Sequence, residues 1–260
     1  MNRGLWTRET VVMLLLAAYL PLALFWLWFG GIADVHRYAL VLLVLAIWQL
    51  VFLLARAQPV SLSAVFTALA IAMLVPEDLG AFRLILGISF GAVMGELVFG
   101  GWGRNVVNPA TVTLSFLGFG FPALPWPDIL VPVAWAAIPT ALIGLITGAM
   151  PAGVVLGAAL GAGVAVPLGL LPSSTLPAAG VVLVLLVADP VTSATTSLGR
   201  WLNGLLYLAL VILFANGWSG AAPVQLAVAA ALLTSLAAPV LDEIALMIWY
   251  AERRRRHGRD

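Results

Sequence analysis

Leu86-Gly87-Ile88-Ser89-Phe90-Gly91-Ala92-Val93-Met94-Gly95-Glu96-Leu97-Val98-Phe99-Gly100-Gly101 is an apolar run that carries a single acid, Glu96, near its end. It belongs to a helix expected over about 81–99, the length of a membrane crossing. An acid within such a span is costly, so Glu96 is a candidate ion or proton ligand, with pairing to Arg104 as the alternative. Directly after it come Trp102-Gly103-Arg104-Asn105-Val106-Val107-Asn108-Pro109-Ala110-Thr111. Gly100, Gly101 and Gly103 permit a sharp turn or a close approach of backbone to a ligand. Asn108 before Pro109 has the form of a helix cap. Asn105 has no such local explanation. Its carboxamide, beside a helix N-terminus, suits a polar heterocycle such as a flavin ring.

Working outward, the whole chain has the same character. Of its 260 residues 63% are hydrophobic and 9% charged, against roughly 25% charged in a soluble domain. Such a chain cannot cover its outward faces with polar groups, so a bilayer is its solvent. Short loops then leave no room for a soluble catalytic module, and no nucleic-acid partner is expected. There is no cysteine, which excludes disulfides, thiolate catalysis and cysteine-ligated iron–sulfur or zinc centres for this chain. His36 and His257 lie near expected helix ends, which argues against a bis-histidine haem. The first thirty residues are expected to be a span and not a cleavable leader.

The expected fold is an all-α integral membrane domain over 1–260. Ten helices are predicted at about 10–29, 38–56, 61–75, 81–99, 108–121, 130–149, 151–170, 174–188, 201–216 and 222–240, followed by a basic amphipathic tail over 241–260. The runs at 61–75, 108–121 and 174–188 are short for a crossing, as in broken helices. With both termini cytoplasmic, Arg3, Arg8, Arg56, Arg104, Arg200, Arg253, Arg254, Arg255, Arg256 and Arg259 fall inside and only Arg37 and Arg83 outside. That partition follows the positive-inside rule. Arg253–Arg256 suits anionic lipid heads.

A weak repeat relates Ser61-Leu62-Ser63 and its apolar run to Ser173-Ser174-Thr175 and the run ending Val187-Ala188-Asp189-Pro190. Five helices lie between them. The pseudo-repeats, about 1–121 and 130–240, would therefore be inverted, unless the likeness is chance. The second run leads into Asp189-Pro190-Val191-Thr192-Ser193-Ala194-Thr195-Thr196-Ser197-Leu198-Gly199-Arg200-Trp201. Asp189 is a functional candidate, or else caps a turn or pairs with Arg200. Asn105, Asn108, Asp189 and Thr192 are expected to border one cytoplasm-facing pocket.

The Leu86–Gly101 run with Asn105 and Asn108-Pro109-Ala110, and the Ala188–Trp201 stretch, together resemble two signatures of one family. It is the family of the B subunit of the sodium-translocating NADH:quinone oxidoreductase and the D subunit of the Rnf complex. Leu236–Asp242 with its basic tail is similar too. The resemblance covers about residue 60 to the C-terminus. It implies ten helices in two inverted five-helix halves, somewhat like ammonium and urea channels, and service as a flavin-carrying subunit of a bacterial inner-membrane electron-transport complex. It implies riboflavin near Gly101, Gly103, Asn105 and Asn108, and cation uptake linked to Asp189.

Departures from the family pattern matter as well. Family members carry FMN on a threonine of an S-G-A-T segment in the loop between helices five and six. That loop here, Phe121-Pro122-Ala123-Leu124-Pro125-Trp126-Pro127-Asp128, has no Thr or Ser, so covalent FMN is not expected and any riboflavin or FMN would be non-covalent. Glu96 stands where the sodium pump has the Lys of a Lys–Glu pair, and Leu97 replaces that Glu, which puts sodium pumping in question. The pump subunit's N-terminal extension has no counterpart here, and a short member is expected. Three functions compete: an electron-transfer subunit among partner membrane subunits, a channel or transporter for a small polar solute, and a cofactor-free structural subunit.

Overall fold

The first helix, α1 (Arg8–Arg56), is 49 residues long, about 74 Å at 1.5 Å per residue, more than twice a bilayer's hydrocarbon thickness. It cannot be straight. At Gly31 the backbone leaves helical geometry (φ 70°, ψ −154°), a conformation that side-chain-bearing residues avoid. The chain turns back there, because both ends of α1 reach the same place. Arg56 donates to the Val98 carbonyl at 3.5 Å, and a Cβ at Gly103 would lie 2.9 Å from the Arg8 Nε. The expected linker over 30–37 is thus absent. Asp34, His36 and Arg37 are helical, and one glycine makes the turn.

The computed structural model describes residues 7–257. Arg3 and Arg259 of the orientation argument, and the side chains of Arg255 and Arg256, lie outside what it describes. After α1 come α2 (Ser63–Leu74), α3 (Ala81–Ala92), α4 (Pro109–Gly120), α5 (Val131–Thr147), α6 (Ala152–Ala165), α7 (Leu176–Val182), α8 (Ser197–Gly217) and α9 (Pro223–His257). Single π-helical turns extend α3 through Val93–Leu97 and α7 through Leu183–Val187. Helix makes up 75% of the described residues, which contain no strand. By length and apolarity α1, α8 and α9 can each cross a membrane.

Short helices occupy the centre. In α2 eleven of the twelve residues are buried, so it has no lipid-facing side. Tyr19 of α1 links it to α7. Its ring packs 5.7 Å from that of Phe66, while its hydroxyl donates to the Val184 carbonyl at 3.1 Å.

Between helices in lipid there is little hydrophobic drive, so small residues that admit close packing set the interfaces. Gly87, Gly91 and Gly95 line the side of α3 that meets α4. A Cβ at Gly91 would collide with the Thr113 hydroxyl, and one at Gly95 would sit 2.9 Å from the Pro109 Cα. Gly153 and Gly157 do the same for α6 against α8, where a Cβ at Gly157 would be 2.7 Å from the Trp201 carbonyl oxygen.

The C-terminal end departs from expectation. A helix ending near 240 and a separate tail were predicted, yet α9 runs unbroken through Pro239 to His257. Proline removes one backbone hydrogen bond but its φ is helical. The turn beyond it is held from outside, by hydrogen bonds from Thr195 and Thr196 to Asp242.

Candidate functional site

The loop between α3 and α4 is built on glycine. Gly100, Gly101 and Gly103 have φ of 102°, 89° and 93°, so the tight turn there needs residues without a Cβ. Gly101 also donates back to the Glu96 carbonyl at 3.1 Å. The space beside two of these glycines is taken by side chains from the ends of α1. A Cβ at Gly101 would lie 2.7 Å from the Gln58 carboxamide, whose oxygen accepts from the Gly101 amide at 2.9 Å, and Gly103 packs on the Arg8 guanidinium.

Asn105 has a local role that spacing did not reveal. Its side-chain oxygen accepts from the Gly103 amide at 3.1 Å, and its nitrogen donates to the Val107 carbonyl at 3.3 Å. The carboxamide braces its own loop. Asn108 does two things at once. Its oxygen accepts from the Ala110 amide at 2.9 Å, capping α4 as its position before proline suggested. Its nitrogen donates to an oxygen of Asp189 at 2.9 Å, across 81 residues of sequence.

Asp189 is buried at the end of the π turn that extends α7. Its other oxygen accepts from the Val191 amide at 2.9 Å, closing a turn of its own loop. The two polar stretches therefore meet at the Asn108–Asp189 bond. Around it, the hydroxyls of Thr111, Thr192 and Ser193 are buried without a hydrogen-bond partner. Orphaned polar groups of this kind call for water, an ion or a polar ligand edge.

Neither ion pair considered from the sequence forms. The ion pair found among the described residues is Asp34–Arg37, at 3.5 Å. Arg104 is exposed, and the Arg200 Nε donates to the Ala194 carbonyl at 3.3 Å. Glu96 is buried in its π turn. It lines a cavity of about 10 Å³ with Gln49 and Thr67, room for a single water, and the Thr67 hydroxyl there has no partner.

Three contributors to this region carried no readable sequence signal. Arg8 and Gln58 come from the ends of α1. Asp242 of α9 accepts from the amide and hydroxyl of Thr195 at 2.8 Å each, and from those of Thr196 at 2.8 and 2.6 Å. One carboxylate thus fixes the segment that leads from Asp189 into α8.

The donors and acceptors suit a flavin's polar edge, but the volume does not. Pockets for ligands of that size hold roughly 300–1,000 Å³, and Arg8 and Gln58 fill the space beside Gly101 and Gly103. An isoalloxazine would enter only with those two long side chains displaced.

Residues 4–130 match the model of the NQR2, RnfD, RnfE family. Curated relatives named as the B subunit of Na(+)-translocating NADH-quinone reductase include that of Yersinia pestis, 41% identical over 86 residues, 33% of this chain and 21% of the relative. The protein of that name from Neisseria meningitidis serogroup A is 38% identical over 95 residues, 36% of this chain and 23% of the relative. One from Haemophilus influenzae is 36% identical over 94 residues, with the same two shares, 36% and 23%. The matched stretch thus spans less than a quarter of these relatives' length. The family match contains Glu96, Asn105 and Asn108 and ends before Asp189, which joins them through its bond to Asn108. Over residues 4–130, just under half of the chain, this membrane protein is similar to the NQR2, RnfD, RnfE family.

Proposed function

We propose that the chain is a membrane-embedded subunit of an electron-transport complex of the kind its relatives' names describe, working with other membrane subunits in a bacterial inner (cytoplasmic) membrane. The observation that carries this reading is the Asn108–Asp189 hydrogen bond at 2.9 Å. It joins the family-matched glycine–asparagine stretch to a buried acid at the end of a short helix, where transporter-like folds put their sites.

Ten crossings in two inverted halves, with both termini cytoplasmic, fit the described helices when the two arms of α1 count separately. The arms of α1 pack on α2 and α5, and α3 pairs with α4 as α8 pairs with α9. Arg8, Arg56 and Arg104 gather at the glycine loop. Arg37 and Arg83 lie apart, against Asp34 and the Phe121 ring. That separation supports a cytoplasmic glycine loop. At the far end of α9 the Arg253 guanidinium sits over the Trp249 ring at 5.2 Å, a pairing suited to an anionic lipid interface.

In this reading Glu96 and Asp189 serve an ion or proton pathway. Any riboflavin or FMN near Gly101, Gly103, Asn105, Asn108 and Thr192 would be held without a covalent bond, and only with Arg8 and Gln58 moved aside. The chain's own contribution is the buried Asn108–Asp189 pair and the hydroxyls beside it, which hold polar groups in a dry interior. Purification from native membranes in mild detergent tests the reading. Co-purifying redox subunits are expected, with or without a flavin spectrum. A colourless protein that purifies alone would overturn it.

A further inference from the structure

Three guanidiniums converge on the glycine loop from separate parts of the chain. A Cβ at Gly103 would lie 2.9 Å from the Arg8 Nε, and one at Gly100 would lie 3.0 Å from the Arg104 Nη1. Both arginines thus sit in notches that only a residue without a side chain leaves open. Arg56, at the other end of α1, donates to the Val98 carbonyl at 3.5 Å and lies over the Phe52 ring at 5.5 Å. All three side chains are held in place by residues of the loop or of α1.

Like charges brought together repel unless an anion lies among them. None of the three pairs with a carboxylate among the described residues, where the ion pair found is Asp34–Arg37. Residues 1–6, which precede Arg8, contain no Asp or Glu. Each guanidinium offers a planar fork of donors that matches the oxygens of a phosphate group.

The surroundings select the source of that phosphate. Leu54, two residues before Arg56, and Phe99 and Val106, on either side of the loop glycines, are exposed. In a bilayer such side chains face hydrocarbon, and guanidiniums beside them stand at the level of the lipid headgroups. We propose that Arg8, Arg56 and Arg104 form a binding site for the headgroup phosphate of an anionic phospholipid, with the glycine loop as its seat. The site is separate from the Arg253–Arg256 tail, and the inference does not rest on the electron-transport reading.

The test follows the thermal stability of the full-length protein in mild detergent as phospholipid is added. Phosphatidylglycerol is expected to raise the Tm to a plateau. Phosphatidylcholine with the same acyl chains, or inorganic phosphate, should raise it little. Arg8→Gln, Arg56→Gln and Arg104→Gln combined should weaken phosphatidylglycerol binding about a hundredfold, at roughly fivefold per guanidinium. Arg104→Gln alone, at an exposed position, serves if the triple variant fails to fold, and should weaken binding about fivefold. Arg253→Gln with Arg254→Gln should leave the response in place. An equal response to phosphatidylcholine or to inorganic phosphate, unchanged binding in the loop variants, or loss of the response in the tail variant would each overturn the proposal.

Discussion

The side-chain nitrogen of Asn108 lies 2.9 Å from a carboxylate oxygen of Asp189, and both residues are buried. This contact fastens the start of α4 to the end of the π turn that extends α7. Asn108 also caps α4, so its removal takes away a cap and orphans a buried carboxylate together. Asn108→Ala is expected to destabilise by about 3 kcal/mol. Asp189→Asn, which keeps the shape and one acceptor, should be milder. Thermal unfolding of the detergent-solubilised variants measures both, and an unchanged Tm for Asn108→Ala would contradict the assignment.

The four hydrogen bonds that Asp242 accepts from Thr195 and Thr196 make it the clasp of the second polar stretch. Asp242→Ala should raise amide hydrogen exchange at Thr195 and Thr196 by tenfold or more, since about 1.4 kcal/mol of lost protection is a factor of ten. Exchange in α5, far from the clasp, should not change.

Helix spacing depends on the glycine stripes. Gly91→Leu and Gly157→Leu drive side chains into Thr113 and into the Trp201 backbone respectively, and are expected to abolish a monodisperse peak in size-exclusion chromatography. Gly163, where a Cβ would meet nothing within 4 Å, should accept alanine with no loss of yield.

Asn105→Leu removes the brace between Gly103 and Val107. A loss of about 1–3 kcal/mol is expected from the unpaired buried groups, with lower flavin content if flavin is bound there. Full flavin retention in that variant would take Asn105 out of the site.

Covalent FMN needs a side-chain oxygen for its phosphoester, and residues 121–128 contain no Ser or Thr. Denatured protein should be non-fluorescent in gel, and its intact mass should match the bare chain. A mass increase of one FMN would refute this.

Much of the architecture was legible because it follows from sums over the chain. Membrane residence depends on how many apolar residues there are, and helix is the form that satisfies their backbone in lipid. The cap at Asn108 was readable too, since it needs only Asn108, Pro109 and Ala110. What the sequence could not determine was which polar groups find each other. Asn105 turned inward because the positive φ of Gly103 brings an amide to its oxygen. Asn108 met Asp189 because the start of α4 lies against the end of the π turn after α7, and Asp242 met Thr196 because α8 packs on α9. Such contacts depend on interhelical distances of a few ångström, set by glycines on one helix and their neighbours on another, and no local pattern along the chain encodes them.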